Sequence, residues 1–236
     1  MKKVGLLILA VTMGNCTLAQ NVESFASITS GLFSFQGVSA EKTSQINVSR
    51  GNTGYTNNPF GARNGLSYGL SFQIQSVSKG NFIAGVNIGY ENLRSRTTID
   101  AINGFDGTAT FQDVASGRSN LSNQFINGFP YVGYRVVNKQ VAVDLTGGLD
   151  LGYLFAAQET GKATGAGGVT YRALRDRSSI KFDVRPRVQV SVIYKKAGVY
   201  IGYAYGLQNY RSGWVGGPNQ CHAELIRFGL LYKLRG

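Results

Sequence analysis

Few side chains in this sequence are placed for chemistry. The single histidine, His222, stands two residues before Glu224 and follows a loop that contains Ser212. A serine, a histidine and an acid are the parts of a hydrolytic triad. A histidine and a carboxylate two residues apart on a strand do share a face. No serine holds a comparable position, so the set reads as a loop histidine without a nucleophile. No Gly-rich phosphate loop, paired-cysteine metal motif or nucleophile elbow is present. The sequence therefore predicts no catalytic residue, no metal site and no cofactor, and a protein that is not an enzyme.

A second group is charged and lies at strand spacing. Between 180 and 194, Lys181, Asp183, Arg185 and Arg187 alternate with Ile180, Phe182, Val184, Val188, Val190 and Val192, a period of two that predicts a strand. Residues 195–198 turn the chain. Val199, Ile201, Tyr203, Tyr205 and Leu207 then restart an apolar face against Gly202, Ala204 and Gly206, which makes a β-hairpin. In a soluble sandwich the Gly/Ala row would lie outside, bare to water. In a membrane barrel the apolar face meets lipid, while small and charged residues share a narrow interior.

The rest of the chain supplies context. Gly accounts for 32 of the 236 residues, with 13 Tyr, 13 Phe and only 15% charged residues; together with the lack of long amphipathic helical patterns, this composition points to an all-β class. Lys2-Lys3, an apolar run from Val4 to Met13 and Thr17-Leu18-Ala19 read as a signal peptide over 1–19, leaving 20–236 as one domain. The run is too short to span a bilayer. Cleavage would leave Cys221 as the sole cysteine and remove two charges from the formal +12. An exported basic chain meets anionic headgroups rather than nucleic acid.

In order, a strand of unclear facing over 21–37 precedes a polar loop over 38–63. Leu66, Tyr68, Leu70, Phe72 and Ile74 form one clean strand face, and Phe82, Ala84, Val86, Ile88 and Tyr90 the next. A loop over 93–119 leads to a fourth strand, in which Leu121, Phe125, Phe129 and Tyr131 have one parity and Val132, Tyr134 and Val136 the other. That flip predicts a bulge at Phe129-Pro130. A fifth strand over 141–155, a loop over 156–178, the hairpin above with a second bulge at Pro186, a loop over 209–222 and a final strand from Glu224 complete the count. The pattern is eight strands, three short turns near Lys79, Lys139 and Lys195, and four long loops. It predicts an eight-stranded antiparallel up-and-down transmembrane β-barrel with short periplasmic turns and long extracellular loops.

In such a barrel Glu91, Asp144, Asp150 and Asp183 face Arg135, Lys181, Arg185, Arg187, Arg227 and Lys233 across an interior about one side chain deep, and buried charges must pair. Asp150 reaches the height of Arg185, with Arg187 as the partner if shear differs. The network reads as a structural plug, with a gated ion path as the alternative. Arg50, Arg63, Arg94, Arg96, Arg118, Arg172, Arg175, Arg177 and Arg211 lie in or beside the long loops, where guanidinium groups suit lipopolysaccharide phosphates or are simply solvated. Tyr68, Tyr90, Tyr134, Tyr153, Tyr194, Tyr203 and Tyr232 suit interfacial girdles.

The stretch from Arg227 to Leu234 resembles the terminal signal read by the outer-membrane barrel-assembly machinery, through Arg227, Gly229, Tyr232 and Leu234; Arg235-Gly236 follow where many such proteins end on the aromatic. The segment FINGFPYVGY at 125–134 is similar to the proline-bearing strand of eight-stranded outer-membrane barrel proteins common in Bacteroidetes, a group that includes PorT-like proteins. The resemblance implies a barrel of the OmpA-transmembrane-domain kind without an appended periplasmic domain, placed in the cell outer membrane after export. It implies a structural or surface-interacting role, with loops that bind lipopolysaccharide or a partner. A PorT-like role with secretion machinery, and a narrow pore or lipid A hydrolase, are the alternatives.

Overall fold

Alternation of apolar and polar residues dominates the chain and disfavours helix, and among the described residues the computed structural model has strands and turns and no helix. It describes residues 19–138, 140–177, 179–213 and 219–235; apart from Ala19, the expected signal segment lies outside them. Eleven strands form one sheet: β1 (Ala19–Gln36), β2 (Thr43–Ser49), β3 (Thr53–Thr56), β4 (Arg63–Ser78), β5 (Phe82–Phe105), β6 (Thr110–Asn138), β7 (Val141–Gly165), β8 (Thr170–Asp176), β9 (Phe182–Tyr194), β10 (Ala197–Tyr205) and β11 (His222–Arg235).

The pairing runs β1–β4–β5–β6–β7–β9–β10–β11 and returns to β1, every step antiparallel. No strand in this ring is left with an unpaired edge along its whole length, which removes the usual route to edge-to-edge aggregation. The expected count of eight strands falls short of the eleven present, because segments expected as loops are sheet. β5 and β6 continue through 93–119 as one long hairpin, paired out to Phe105↔Thr110. β7 runs on to Gly165 and pairs with β8, and residues 38–63 contain β2 and β3. β2 lies parallel to β5 and β3 parallel to β8. The upper parts of β5, β6 and β7 thus close with β2, β3 and β8 into a second ring, stacked on the first. Ile46, Ile99, Ile102, Ala115, Ala163, Tyr171 and Ala173 fill it.

The short turns are tight. β9 and β10 are joined by Lys195-Lys196 alone, with Lys195 at φ 54°, as a two-residue hairpin demands. At the opposite end Asp106 caps the β5–β6 tip, accepting from the amides of Thr108 at 2.7 Å and Ala109 at 2.8 Å. The Ala109 and Thr108 bonds hold its carboxyl below the usual range.

Neither expected bulge exists. Across Phe129-Pro130 the β6–β7 register resumes unchanged, Gly128↔Leu151 and Tyr131↔Gly148, and β7–β9 keeps one register through Leu149↔Pro186. Leu121, Phe125, Phe129, Tyr131 and Arg135 all point inward, while Ile126, Pro130, Val132 and Tyr134 point outward. The apparent flip arose because the interior face of β6 carries aromatic rings, so hydrophobicity does not distinguish its two sides. The real slip in this hairpin pairs Gln124 with Ala156 and Phe125 with Leu154, leaving Phe155 as the extra residue on β7. It re-phases β7: Asp150 and Leu154 point inward below it, Ala157 and Glu159 above.

Candidate functional site

The ring's polarity is inverted relative to a soluble protein. Large apolar side chains are exposed on all eight of its strands, among them Ile28, Leu70, Ile88, Ile126, Leu145, Val188, Ile201 and Leu230. The expected tyrosines stand on this outer face, with Tyr90 half-buried and donating to Gln124 at 3.3 Å. Charges are inside.

Glycine and alanine on β10 make room for them. Gly202 lies opposite Arg227, and Ala204 opposite Arg187. Gly229 faces inward as well, and a Cβ there would sit 2.4 Å from the Ile28 carbonyl and 2.6 Å from the Tyr200 ring. Of the four residues resembling an assembly signal, Arg227 and Gly229 therefore belong to the interior, and Tyr232 and Leu234 to the exposed outer face.

The interior charges form two clusters. In one, Arg135 bridges Asp144 (Nε to Oδ1, 2.6 Å) and Glu23 (2.7 Å), and Lys233 reaches the same Glu23 at 2.6 Å. Gln75 donates to both carboxylates and accepts from the Tyr131 hydroxyl at 2.9 Å. In the other, Arg185 contacts Glu91 at 2.5 Å and Asp150 at 3.3 Å, with Asp183 4.0 Å away. Arg227 contacts Glu91 at 2.7 Å and Asp150 at 2.5 Å. Asp150 stands directly opposite Arg185 in the β7–β9 ladder and accepts from Asn127 at 3.0 Å. Asp183 accepts from the Tyr210 hydroxyl at 2.8 Å.

Arg187 joins neither cluster; it donates to Gln189 and lies 4.2 Å from the centre of the Phe129 ring. Lys181 does not enter the interior. It precedes β9 and is exposed, because the chain bends there to let its carbonyl accept from Leu154 at 2.9 Å. Glu23 escaped sequence reading: it shares its face with Phe25, Phe33 and Phe35 on β1, so a mixed aromatic and acidic face showed no alternation.

Among the described residues the ring interior thus holds five cations (Arg135, Arg185, Arg187, Arg227, Lys233) and five carboxylates (Glu23, Glu91, Asp144, Asp150, Asp183). Five against five leaves the interior with no formal net charge. It is also full: Phe33, Phe35, Phe60, Phe125, Leu154, Tyr210, Cys221 and Leu225 pack above the second cluster, and Phe25, Ile193, Tyr200 and Leu231 form a separate core at the short-turn end.

The arginines expected in loops divide by role. Arg177 pairs with buried Glu159 at 2.5 Å. Glu159 accepts the Thr56 amide at 2.6 Å while Arg177 donates to the Thr56 carbonyl, so the pair satisfies β3 as a neighbouring strand would. Arg175 lies 4.6 Å from the Tyr55 ring. Arg50 sits in a turn at φ 54°, and the Arg211 amide donates to Asn209 at 3.1 Å. Arg63, Arg94, Arg96, Arg118 and Arg172 lie on strands.

His222 and Glu224 do not engage each other. The His222 Nδ1 is 3.1 Å from the Gly206 carbonyl, and Glu224 accepts from Gln36 at 2.7 Å and from Tyr203 at 3.0 Å. No group of three or more metal-ligating side chains occurs among the described residues.

No family model and no curated protein matches the chain. Among solved structures it is similar to Neisserial surface protein A, at 9% identity over 91% of this chain and 100% of that one, with a TM-score of 0.38. Ail, the attachment invasion locus protein of Yersinia pestis, solved with the heparin analogue sucrose octasulfate, matches at 10% identity over 91% and 100%, with a TM-score of 0.34. The translocator domain of the autotransporter NalP from Neisseria meningitidis matches at 10% identity over 98% and 94%, with a TM-score of 0.26. Likenesses at these scores carry no weight for role.

Proposed function

We propose that this chain is an integral outer-membrane protein: an eight-stranded barrel with a plugged interior, carrying the second ring of strands as a stiff platform outside the membrane. The observation that carries this reading is the inverted polarity of the closed ring, with exposed Leu, Ile, Val and Phe on all eight strands and balanced buried charges within. Water would penalise such a surface heavily, at roughly 25 cal/mol per Å² of apolar area, whereas a bilayer accepts it and forbids unpaired strand edges.

The role is structural or surface-interacting, without an enzymatic step, and the long-loop end is the working part. The filled interior disfavours the pore reading. The bonding of Glu224 away from His222 disfavours the hydrolase. The PorT-like secretion role rests on resemblance alone. The chain reaches the outer membrane by export and is inserted by the barrel-assembly machinery, which would read β11.

The test is membrane fractionation with a mobility comparison of boiled and unboiled protein on a gel. Recovery in the outer-membrane fraction with a mobility shift is expected. A soluble periplasmic protein without a shift would overturn the reading.

A further inference from the structure

On the outer wall of β4, β5 and β6, Leu66, Tyr90 and Ile126 are followed outward by a short polar band and then by cations. Continuing outward along β5, the outward-facing residues after Tyr90 are Asn92, Arg94, Arg96 and Thr98. Arg94 pairs across to Ser122, Arg96 to Asn120 and Thr98 to Arg118, which puts three guanidinium groups on adjoining rungs of one wall. Arg63 faces Arg96 across β4–β5, and Arg118 faces Lys162, which faces Arg172. Like charges placed opposite one another destabilise a sheet. None of these six has a carboxylate within 4.0 Å among the described residues.

The wall is concave at this point. Gly65, Leu66, Arg94, Arg96, Arg118 and Asn120 line one depression. Gly65 lies where the β4–β5 register slips between Asn64 and Tyr68, and a Cβ on it would sit 2.0 Å from the Arg94 carbonyl oxygen, so the two backbones approach closely there. Arg96 is held in place by donating to the Asn64 carbonyl at 2.9 Å. Leu66 forms the lower lip and is 62% exposed, in line with the exposed Tyr68 and Leu70 below. The depression therefore offers cations above and a hydrocarbon surface beneath.

We infer that this depression binds the phosphorylated headgroup of an outer-leaflet glycolipid, with a phosphate held between Arg94, Arg96 and Arg118 and an acyl chain lying on Leu66, Tyr68 and Leu70. Arginine grips phosphate bidentately, and the missing counter-charge is what such a ligand supplies. The inference rests on the outer-membrane reading above.

The test uses residues 20–236, refolded in detergent, and native mass spectrometry with bisphosphorylated lipid A, its dephosphorylated form and inorganic phosphate as probes. Bisphosphorylated lipid A is expected to be retained, the dephosphorylated form to be lost, and millimolar phosphate to displace little. R94Q/R96Q/R118Q is expected to weaken retention at least tenfold, and K162Q/R172Q on the neighbouring rungs less than threefold. Equal retention by the triple variant, equal retention of the dephosphorylated lipid, or full displacement by phosphate would each overturn the inference. The unboiled gel shift of the triple variant shows that its ring is closed, and the single variants R94Q and R118Q decide the matter if it is not. A wild-type protein that fails to reach the outer membrane would instead overturn the underlying reading.

Discussion

Arg185 on β9 reaches across the ring to Glu91 on β5 at 2.5 Å, a shorter contact than the 3.3 Å to Asp150, its ladder neighbour. Glu91 also holds Arg227 of β11. One carboxylate thus ties three strands that are not adjacent in the ring.

Replacing Glu91 with Ala should therefore be severe. Arg185 and Arg227 are buried, and removing one partner of a buried ion pair costs about 3–5 kcal/mol. Urea unfolding of the refolded protein in lipid vesicles measures this. A loss under 1 kcal/mol would show that Asp150 alone suffices for both arginines.

Glu23 makes the same prediction for the other cluster, where it holds Arg135 and Lys233. Glu23→Gln should destabilise the ring more than Lys233→Met. The glutamine leaves Arg135 short of charge in the interior, while Lys233 is only half-buried and its loss leaves Glu23 still paired. Unfolding midpoints of the two variants decide the order.

The Arg177–Glu159 pair should govern the second ring, which contains β2, β3 and β8, and not the first. Glu159→Gln weakens the bonds that hold Thr56, so limited proteolysis near residues 53–57 should accelerate several-fold. The unboiled gel mobility should stay unchanged. Loss of the mobility shift would mean that the two rings fold as one unit.

Cys221 is fully buried beside Phe35 and Tyr210, and burial pushes its thiol up to about 12. Because the thiolate is the reactive form, maleimide should label it at neutral pH only after unfolding. The raised value also sets a sign. The unfolded thiol ionises near 9.0 and the folded one near 12, so the stabilising contribution of the neutral buried thiol is complete below pH 9 and is lost as pH rises through that interval. Cys221→Ala should flatten the alkaline stability profile there.

A balanced, filled interior should not conduct. Planar-bilayer recording of the refolded protein is expected to show no discrete steps, and steps that vanish in Asp150→Asn would point to an ion path through the second cluster.

Alternation determined much of this protein: the strands at 66–74 and 82–90 and the hairpin within 180–207, their outward apolar faces, the tight turns near Lys79 and Lys195, and the inward facing of Asp144, Asp150, Arg185 and Arg227; the third expected turn, at Lys139, lies outside the described residues. A period of two is a local property, so it can be read locally. Three things were not local. Polar segments within 38–63, 93–119 and 156–177 contain strands: 93–119 and 156–177 extend hairpins, and β2 and β3 are held by partners distant in sequence, β5 and β8; nothing in their own composition marks this. The facing of β1 and β6 was hidden because interior aromatics and exterior aliphatics look alike to a hydrophobicity pattern, and it took the arginines packed on Phe125 and Phe129 to show which side was inside. Lastly, Arg94, Arg96 and Arg118 form one site only through the β5–β6 register, while Arg177, of the same residue type, is drawn into a buried pair by Glu159. Residue type sets what a side chain can bind, and the tertiary pairing sets what it meets.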